Sequence, residues 1–255
     1  MTRQPTRYIV VDMTTLCKAR VALVTGANKG IGKAIVRGLA RSGLTVFLSA
    51  RDSERGRAAT AELCSDGDVR FVQLDVVSSA SVLAARETIK SETGRLDVLI
   101  NNAGISSAPG ARLSSPTEET AENLRAVFET NVFAVVTVTN AFLPLLLKSD
   151  AGRIVNVTSK RGSIGEEGAW VGSPNMAYSS SKTALNAITV HYARNLAATN
   201  IKVNGAAPGH VATDFNGFRG ARTPEVGAEV AMRLALLKDD GPTGAVFEDD
   251  KQLAW

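Results

Sequence analysis

The sequence is poor in the residues that build disulfide frameworks and metal sites. Its two cysteines, Cys17 and Cys64, lie far apart and form no Cys-x-x-Cys pair, and its two histidines are His191 and His210. A disulfide scaffold or a structural zinc site needs a cluster of such residues. We therefore expect no metal centre, and a reducing compartment, the cytoplasm, fits the chain best.

Outside the first twenty residues, the positive and negative charges of the sequence nearly balance. The formal net charge is +4, and this leading segment supplies +3 of it, with four lysines and arginines against Asp12. The rest of the chain is nearly neutral, which argues against a nucleic-acid partner. The apolar piece Tyr8–Val11 is too short for a secretory signal. We interpret residues 1–20 as a flexible N-terminal extension and residues 21–255 as one folded domain.

Long hydrophobic runs are also lacking. The stretch Thr130–Leu147 carries no charge, but asparagines, threonines and Pro144 interrupt it. It barely reaches the length needed to span a bilayer. We predict a helix buried on most sides, by a sheet and by a partner subunit, and no membrane association.

What the sequence does contain is a regular alternation of β-rich and helical segments. The predicted strands are Val21–Thr25, Thr45–Ala50, Val69–Gln73, Asp97–Ile100, Arg153–Thr158 and Lys202–Ala207. The predicted helices are Lys33–Ser42, Ser53–Cys64, Ser78–Thr93, Thr117–Leu147 and Ala177–Thr199. This alternation indicates an α/β fold, a single domain with a doubly wound parallel sheet and right-handed crossovers.

A glycine-rich turn joins the first predicted strand to the first helix. Glycines allow a tight bend and a close approach to a pyrophosphate, while the amides at the helix N-terminus face its negative charge. Strand, glycine turn and helix together predict a Rossmann-type dinucleotide site. The candidate contacts in the turn are Gly26, Asn28, Lys29, Gly30, Ile31 and Gly32.

Tyr178 and Lys182 are four residues apart in a predicted helix. Residues at this spacing lie on one helix face, so a phenol and an ammonium group are neighbours. A phenol with a pKa of about 10 is a poor acid or base at neutral pH, but a fixed cation beside it favours the phenolate. The pair is therefore a candidate for proton transfer.

Other glycines and polar residues follow the ends of predicted strands. They are Arg51, Asp75, Asn101 to Gly104, Ser159, Pro208 and Gly209. In doubly wound sheets the ligand lies at the carboxyl ends of the strands. We expect these residues and the glycine turn to converge on one crevice.

In order and spacing, these motifs resemble those of the short-chain dehydrogenase/reductase family. The resemblance covers nearly all of residues 19–255. The phrases Val24–Gly32, Ser49–Asp52 and Gly241–Phe247, with the ending at Trp255, are most similar to the carbonyl reductase-like branch. Monomeric animal members of that branch carry a long insertion between the serine and the tyrosine, which this chain lacks.

The resemblance implies a role for each catalytic candidate. Tyr178 would be the general acid in reduction and the base in alcohol oxidation. Lys182 would lower the pKa of Tyr178 and bind the nicotinamide ribose. Ser159 would hydrogen-bond the substrate oxygen, and Asn131 would hold a helix kink and the water that links Lys182 to solvent.

The resemblance also implies contacts to a nicotinamide cofactor. Asp75 would meet the adenine edge. The other implied contacts, beyond the glycine turn and the catalytic pair, are Asn102, Ala103, Gly104, Pro208, Gly209, Val211 and Thr213.

The choice between NAD and NADP rests on the end of the second predicted strand. A basic residue there suits the 2′-phosphate of NADP, and an acidic one suits the free ribose of NAD. Arg51 is at this place, and Lys29 lies in the glycine turn. We interpret Asp52 as the N-cap of the following helix. The sequence therefore favours NADPH over NADH.

Residues around the substrate are less well defined. With Ser159, the candidates are Trp170, in the loop before Tyr178, His210, and Phe215, in a segment that acts as a lid in the family. The charged residues Lys160, Arg161, Glu166 and Glu167 are interpreted as a solvated loop.

These features predict an NADPH-dependent reductase of ketones or aldehydes, reversible and with Tyr178 as the proton donor. An NAD(P)-dependent alcohol dehydrogenase or a 3-oxoacyl carrier-protein reductase is the alternative. A regulator that senses NADP without turnover is an alternative of another class. The short gap before Tyr178 and the uncharged helix favour a homo-oligomer, a tetramer rather than a dimer.

Overall fold

The computed structural model describes residues 19–111 and 115–255, and the N-terminal extension up to residue 18 lies outside this range. Its strands are β1 (Val21–Val24), β2 (Thr45–Ala50), β3 (Val69–Gln73), β4 (Val98–Asn101), β5 (Arg153–Val157), β6 (Lys202–Ala207), β7 (Val246–Glu248) and β8 (Lys251–Gln252). Its α-helices are α1 (Gly30–Arg41), α2 (Ser53–Glu62), α3 (Ser79–Thr93), α4 (Ala121–Phe128), α5 (Ala134–Leu146), α6 (Met176–Asn195) and α7 (Pro224–Ala235).

All eight strands form one sheet in the order β3-β2-β1-β4-β5-β6-β7-β8. Neighbouring strands from β3 to β7 are parallel, and β8 pairs antiparallel with β7. The order reverses at β1, which lies between β2 and β4. The carboxyl ends of β1 and β4 therefore border the crevice in which doubly wound sheets bind their ligands. The predicted fold class is confirmed.

Helices cover both faces of the sheet. Alternate residues of β1 face opposite ways: Val24 packs in a cluster with α1 and α7, and Leu23 packs in a second cluster with α3, α5 and α6. This alternation explains the continuously apolar strands, because a strand with helices on both faces buries every side chain. Each of the first two strands is buried at every position.

The long helix predicted from Thr117 to Leu147 is shorter and is interrupted. It begins at Ala121, because the Thr120 hydroxyl caps it by accepting the Asn123 amide at 3.1 Å. A π-turn over Glu129–Phe133 then separates α4 from α5. Such a turn shifts the backbone hydrogen-bond pattern by one residue, and π-turns occur often at functional sites.

The run from Ala121 to Leu146 has the length and hydropathy of a membrane span. It behaves as a core helix, since Val138, Phe142 and Leu145 pack with strand residues in the second cluster. Phe133 and Leu147 remain half exposed on its outer side.

Three elements that the sequence analysis did not include complete the fold: α7, β7 and β8. Helix α7 packs beside α1. Thr223 caps it and Pro224 occupies its first turn, a sequence signal for a helix start. Arg20, which the sequence analysis assigned to the N-terminal extension, is already part of the fold, because its guanidinium donates to the carbonyls of Ala151 and Ala235.

Candidate active site

The glycine turn has the geometry that a bound pyrophosphate requires. Gly26 and Gly30 have φ angles of 61° and 54°, a region that favours glycine. A Cβ on Gly32 would lie 2.5 Å from the Asn102 side-chain nitrogen, so the turn also needs glycine for close packing. Helix α1 begins at Gly30, and Lys29 makes no side-chain capping bond to it. The first amides of α1 are thus available to an anion, and a dinucleotide fits here.

Asn102 fastens the end of β4 to this turn. Its side-chain nitrogen donates to the carbonyls of Thr25 and Gly26 at 2.9 and 3.1 Å. The Thr25 hydroxyl in turn accepts the amides of Asn102 and Ala103 at 3.0 and 3.1 Å. Asn102 therefore stabilises the glycine turn through hydrogen bonds to its backbone. Thr25 stabilises it as well, a role that the sequence analysis did not assign to this residue.

Tyr178 is fixed at the start of α6. Asn175 caps this helix, and its side-chain oxygen accepts the Tyr178 amide at 3.1 Å. Lys182 follows one turn later with its ammonium nitrogen 5.6 Å from the centre of the phenol ring. Ser159 follows β5, and its side chain lies near the phenol and favours its phenolate form. The structure thus brings together the three residues expected to share the chemistry.

Burial raises the pKa of Tyr178 above its ordinary value, and a hydrogen bond from Ser159 and the charge of Arg161 act against this rise. The direction is opposite to the one expected from the Tyr178–Lys182 spacing. The physical reason is that burial disfavours a phenolate by more than the neighbouring groups stabilise it.

Lys182 is itself buried, and burial lowers its pKa to about 8. Its ammonium group donates to the Val157 carbonyl at the end of β5, at 2.9 Å. Gly104 borders Lys182, since a Cβ on Gly104 would lie 3.6 Å from the same nitrogen, an ordinary contact distance. The lysine is therefore held at the carboxyl ends of the strands, next to the Tyr178 phenol.

Asn131 lies within the π-turn and is fully buried. Its side chain accepts the Ile105 amide and donates to the Ile105 carbonyl, both at 2.9 Å. It also donates to the Ser181 hydroxyl at 3.0 Å, next to Lys182 in the chain. The residue joins the interrupted helix to α6 and to the loop after β4.

The segment after β6 lies against both the glycine turn and the phenol. A Cβ on Gly30 would be 3.3 Å from a methyl of Thr213. Lys29 forms an ion pair with Asp214. The Phe215 ring is 5.6 Å from that of Tyr178. Of the predicted substrate residues, Phe215 is thus placed next to Tyr178.

The remaining predicted residues lie at the same edge of the sheet, but differ in what they face. Pro208, Gly209 and Val211 follow β6, and Val211 is buried. Asp75 follows β3, where its carboxylate accepts the Val77 amide. The Arg51 side chain is exposed at the end of β2. Asp52 caps α2 through the amides of Glu54 and Arg55, as predicted.

Two candidates face solvent. The Trp170 side chain is 82% exposed, so it forms no buried wall. His210 is also exposed, and its carbonyl accepts the amides of Ala221 and Arg222.

The charged loop after Ser159 is more ordered than a solvated loop. Glu166 is 9% exposed, and its carboxylate accepts the Ala254 amide at 2.9 Å and the Lys251 ammonium at 2.8 Å. Arg161 donates to the carbonyls of Val171 and Ser173. The interpretation as a solvated loop is therefore wrong for Glu166, which is buried, and for Arg161, whose guanidinium binds backbone carbonyls, while Glu167 is exposed as predicted.

This arrangement agrees with the comparisons with known proteins. The family model described as short chain dehydrogenase matches residues 20–223. The NADPH carbonyl reductase 3 of Rattus norvegicus is 36% identical in an alignment 284 positions long that covers 93% of this chain and 99% of that protein. A short-chain dehydrogenase/reductase of Saponaria officinalis is 35% identical in an alignment 290 positions long that covers 91% of this chain and 95% of that protein.

Solved structures give the same result. The NADPH-bound carbonyl reductase from chicken fatty liver superposes with a TM-score of 0.83 at 30% identity, covering 93% of this chain and 99% of that one. Salutaridine reductase from Papaver somniferum gives a TM-score of 0.78 at 32% identity, covering 90% and 99%. With the family model, the relatives and the fold in agreement, this chain belongs to the short-chain dehydrogenase/reductase family and is similar to its carbonyl reductases.

Proposed function

We propose that the protein is an NADPH-dependent carbonyl reductase that interconverts a ketone or aldehyde and the corresponding alcohol. The observation that carries this proposal is the arrangement of Ser159, Tyr178 and Lys182 at the strand ends next to the glycine turn. The family relationship and the NADPH named for several relatives support it. When bound, the nicotinamide supplies the hydride.

In reduction, Tyr178 donates the proton to the substrate oxygen. The raised pKa of its phenol suits this direction, since the group stays protonated through neutral pH. Ser159 holds the same oxygen and stabilises the negative charge that develops on it. In alcohol oxidation the proton returns to Tyr178, and the high pKa makes this direction demand a more alkaline pH.

Lys182 and Asn131 support the tyrosine. The Lys182 ammonium lies at the end of β5, where it would hold the ribose of the cofactor. Asn131 fixes the loop after β4 and the Ser181 hydroxyl, so it acts through position. We propose that the glycine turn holds the pyrophosphate and that Arg51 and Lys29 receive the 2′-phosphate.

We further propose a homo-oligomer, a tetramer rather than a dimer, located in the cytoplasm. The outer side of α5 supports this assembly: Phe133 and Leu147 are each 53% exposed, and Asn140 and Pro144 lie between them at helical spacing. Light scattering at micromolar concentration should give a mass well above 26.8 kDa. A monomeric mass would contradict this proposal.

The enzymatic function is tested by following NADPH absorbance with a panel of ketones and aldehydes. Wild type should turn over at least one class, and Tyr178→Phe should lose about a hundredfold or more of kcat, the scale of general acid catalysis. NADPH affinity, from fluorescence titration, should stay within about twofold.

Wild type that binds NADPH without oxidising it on any carbonyl would point to a cofactor sensor instead. Selective turnover of acyl thioesters would point to the carrier-protein reductase.

A further inference from the structure

Arg161 has a position that none of the assigned roles explains. It lies two residues after Ser159, and its side chain reaches the middle of the loop that leads to Tyr178. We propose that Arg161 is a positioning residue that holds the substrate loop, defined as residues 163–175, and sets the electrostatics at the phenol. This inference rests on the proposed function.

The guanidinium holds the substrate loop through two hydrogen bonds, an arrangement that we call the fork. One terminal nitrogen donates to the Ser173 carbonyl at 2.9 Å and the other to the Val171 carbonyl at 3.0 Å. Gly172, between these carbonyls, has a φ of 80°, and a Cβ there would lie 2.7 Å from the second nitrogen. A planar group with two parallel donors fits this geometry, and an ammonium group does not.

The loop held by the fork leads to the start of α6. Two residues beyond Ser173, Asn175 caps α6 and accepts the Tyr178 backbone amide. Displacement of the loop would therefore change the helix start that carries Tyr178. Arg161 also contacts Ser159, but through its main chain: its backbone amide donates to the Ser159 hydroxyl oxygen at 3.2 Å, a bond that substitution of the side chain leaves in place.

The charge of Arg161 is not neutralised by a carboxylate anywhere in residues 19–111 and 115–255. The neighbouring charged residues do have partners: Lys160 pairs with Glu248 at 3.2 Å, and Glu166 pairs with Lys251 at 2.8 Å. An unpaired cation acts over a longer range than a paired one. Its field favours the phenolate form of Tyr178 and opposes the effect of burial.

The other groups that face the phenol are the Ser159 side chain, the Lys182 ammonium and the uncharged Phe215 ring. Of these, Lys182 has a pKa lowered to about 8 by burial. Because burial and not Arg161 causes that shift, we expect substitution of Arg161 to leave it in place, which makes the two contributions separable.

Three variants separate the fork from the charge. Arg161→Gln removes both, Arg161→Lys keeps the charge and loses the fork, and Gly172→Ala keeps the charge and displaces the guanidinium. Lys160→Gln is the matched control, because it removes a neighbouring charge that Glu248 neutralises.

We expect all three variants to raise KM for the carbonyl about fivefold or more, while NADPH affinity stays within about twofold. In Arg161→Gln alone, the alkaline limb of kcat/KM for reduction should move up by about half a pH unit, because loss of a nearby cation raises the pKa of Tyr178. Lys160→Gln should match wild type in both respects. An unmoved limb or an unchanged carbonyl KM in Arg161→Gln overturns the proposal, as does an equal change in Lys160→Gln.

Loop order is measured independently of turnover by hydrogen exchange. Amides of residues 170–175 should exchange faster in Arg161→Gln and Gly172→Ala, and those of the glycine turn should not. Failure of wild type to reduce any carbonyl would refute the proposed function, while this measurement would still decide whether Arg161 holds the loop. Unchanged exchange in both variants would overturn that part.

Discussion

The ring of Phe215 lies 5.6 Å from the ring of Tyr178, at an interplanar angle of 60°. Tilted aromatic pairs at this distance attract each other and exclude water from the face between them. Phe215 belongs to a short turn after β6 and is 44% exposed, so part of its side chain faces solvent. The segment after β6 thus contributes directly to the burial of the proposed proton donor.

Replacing Phe215 with alanine should change both substrate affinity and pH dependence. We expect KM for the carbonyl to rise about three- to tenfold, the loss expected for one partly buried aromatic side chain. Burial is the largest cause of the raised pKa of Tyr178. Admitting water should therefore lower that pKa, and reduction, which needs the protonated phenol, should be lost at a lower pH than in wild type.

Phe218 provides the control for this change. It lies in the same segment and is 70% exposed, and its ring makes no aromatic contact with Tyr178 among the described residues. Phe218→Ala should leave the alkaline limb of the kcat/KM profile unmoved. A shift of equal size in both variants would show that the effect arises from general loosening of the segment.

Lys182 is expected to destabilise the folded protein below pH 8 in the absence of cofactor. Burial lowers its pKa from 10.5 to about 8. The folded state therefore binds this proton more weakly than the unfolded state, and stability rises with pH between these two values. At pH 7 the difference corresponds to about 3 kcal/mol at most, from about 1.4 kcal/mol per pH unit.

Lys182→Met should abolish turnover and yet stabilise the apoprotein. Urea unfolding at pH 7 should show a gain of about 1 to 3 kcal/mol, the lower value allowing for the lost bond to the Val157 carbonyl. The gain should shrink to below about 1 kcal/mol near pH 10, where the wild-type lysine is neutral when folded. A gain that is independent of pH would show that its source is packing and not the buried charge.

The sequence predicts much of the sheet and the composition of the site. Strands such as Thr45–Ala50 and Lys202–Ala207 match the structure at both ends, because their continuous β-rich runs leave a single interpretation. The role of Asp52 as an N-cap could also be predicted, since its carboxylate binds the amides of residues only two and three positions further along the chain. Local patterns carry such information.

The parts that escaped prediction depend on contacts distant in the chain. Arg161 binds carbonyls ten and twelve residues away, and carbonyls are present at every position, so no residue type marks them. Whether the pKa of Tyr178 is raised or lowered depends on burial by elements such as the Phe215 turn. The Tyr178–Lys182 spacing shows a neighbouring charge but not how much water remains.

Arg51→Asp should shift the cofactor preference from NADPH towards NADH. The Arg51 side chain is exposed at the end of β2, and its backbone is fixed by Gln73, whose side chain donates to the Arg51 carbonyl at 3.0 Å. We expect the ratio of kcat/KM with NADPH to that with NADH to fall about tenfold or more, since a carboxylate repels the 2′-phosphate and accepts the 2′-hydroxyl.

Lys90→Asp is the matched control for Arg51→Asp. It makes the same change of charge in the last turn of α3. The ratio of kcat/KM with NADPH to that with NADH should stay within about twofold of the wild-type ratio. An unchanged ratio in Arg51→Asp would remove this residue from the cofactor site.

Asp214→Asn should tighten the binding of NADPH and leave that of NADH unchanged. Asp214 forms an ion pair with Lys29, which joins the segment after β6 to the glycine turn. If the 2′-phosphate binds Lys29, the carboxylate competes with it, and its removal frees the ammonium group. Both side chains are about half exposed. A pair of this kind contributes at most about 1 kcal/mol, so we expect up to about fivefold tighter binding at low salt and less at high salt.

A double-mutant cycle with Lys29→Met tests whether the effect passes through Lys29. Lys29→Met alone should weaken NADPH binding, and adding Asp214→Asn should then change nothing, because the carboxylate no longer has an ammonium group to occupy. Fluorescence titration of the four proteins with NADPH and NADH gives the coupling energy. Equal tightening in both backgrounds would mean that Asp214 repels the phosphate directly and does not act through Lys29.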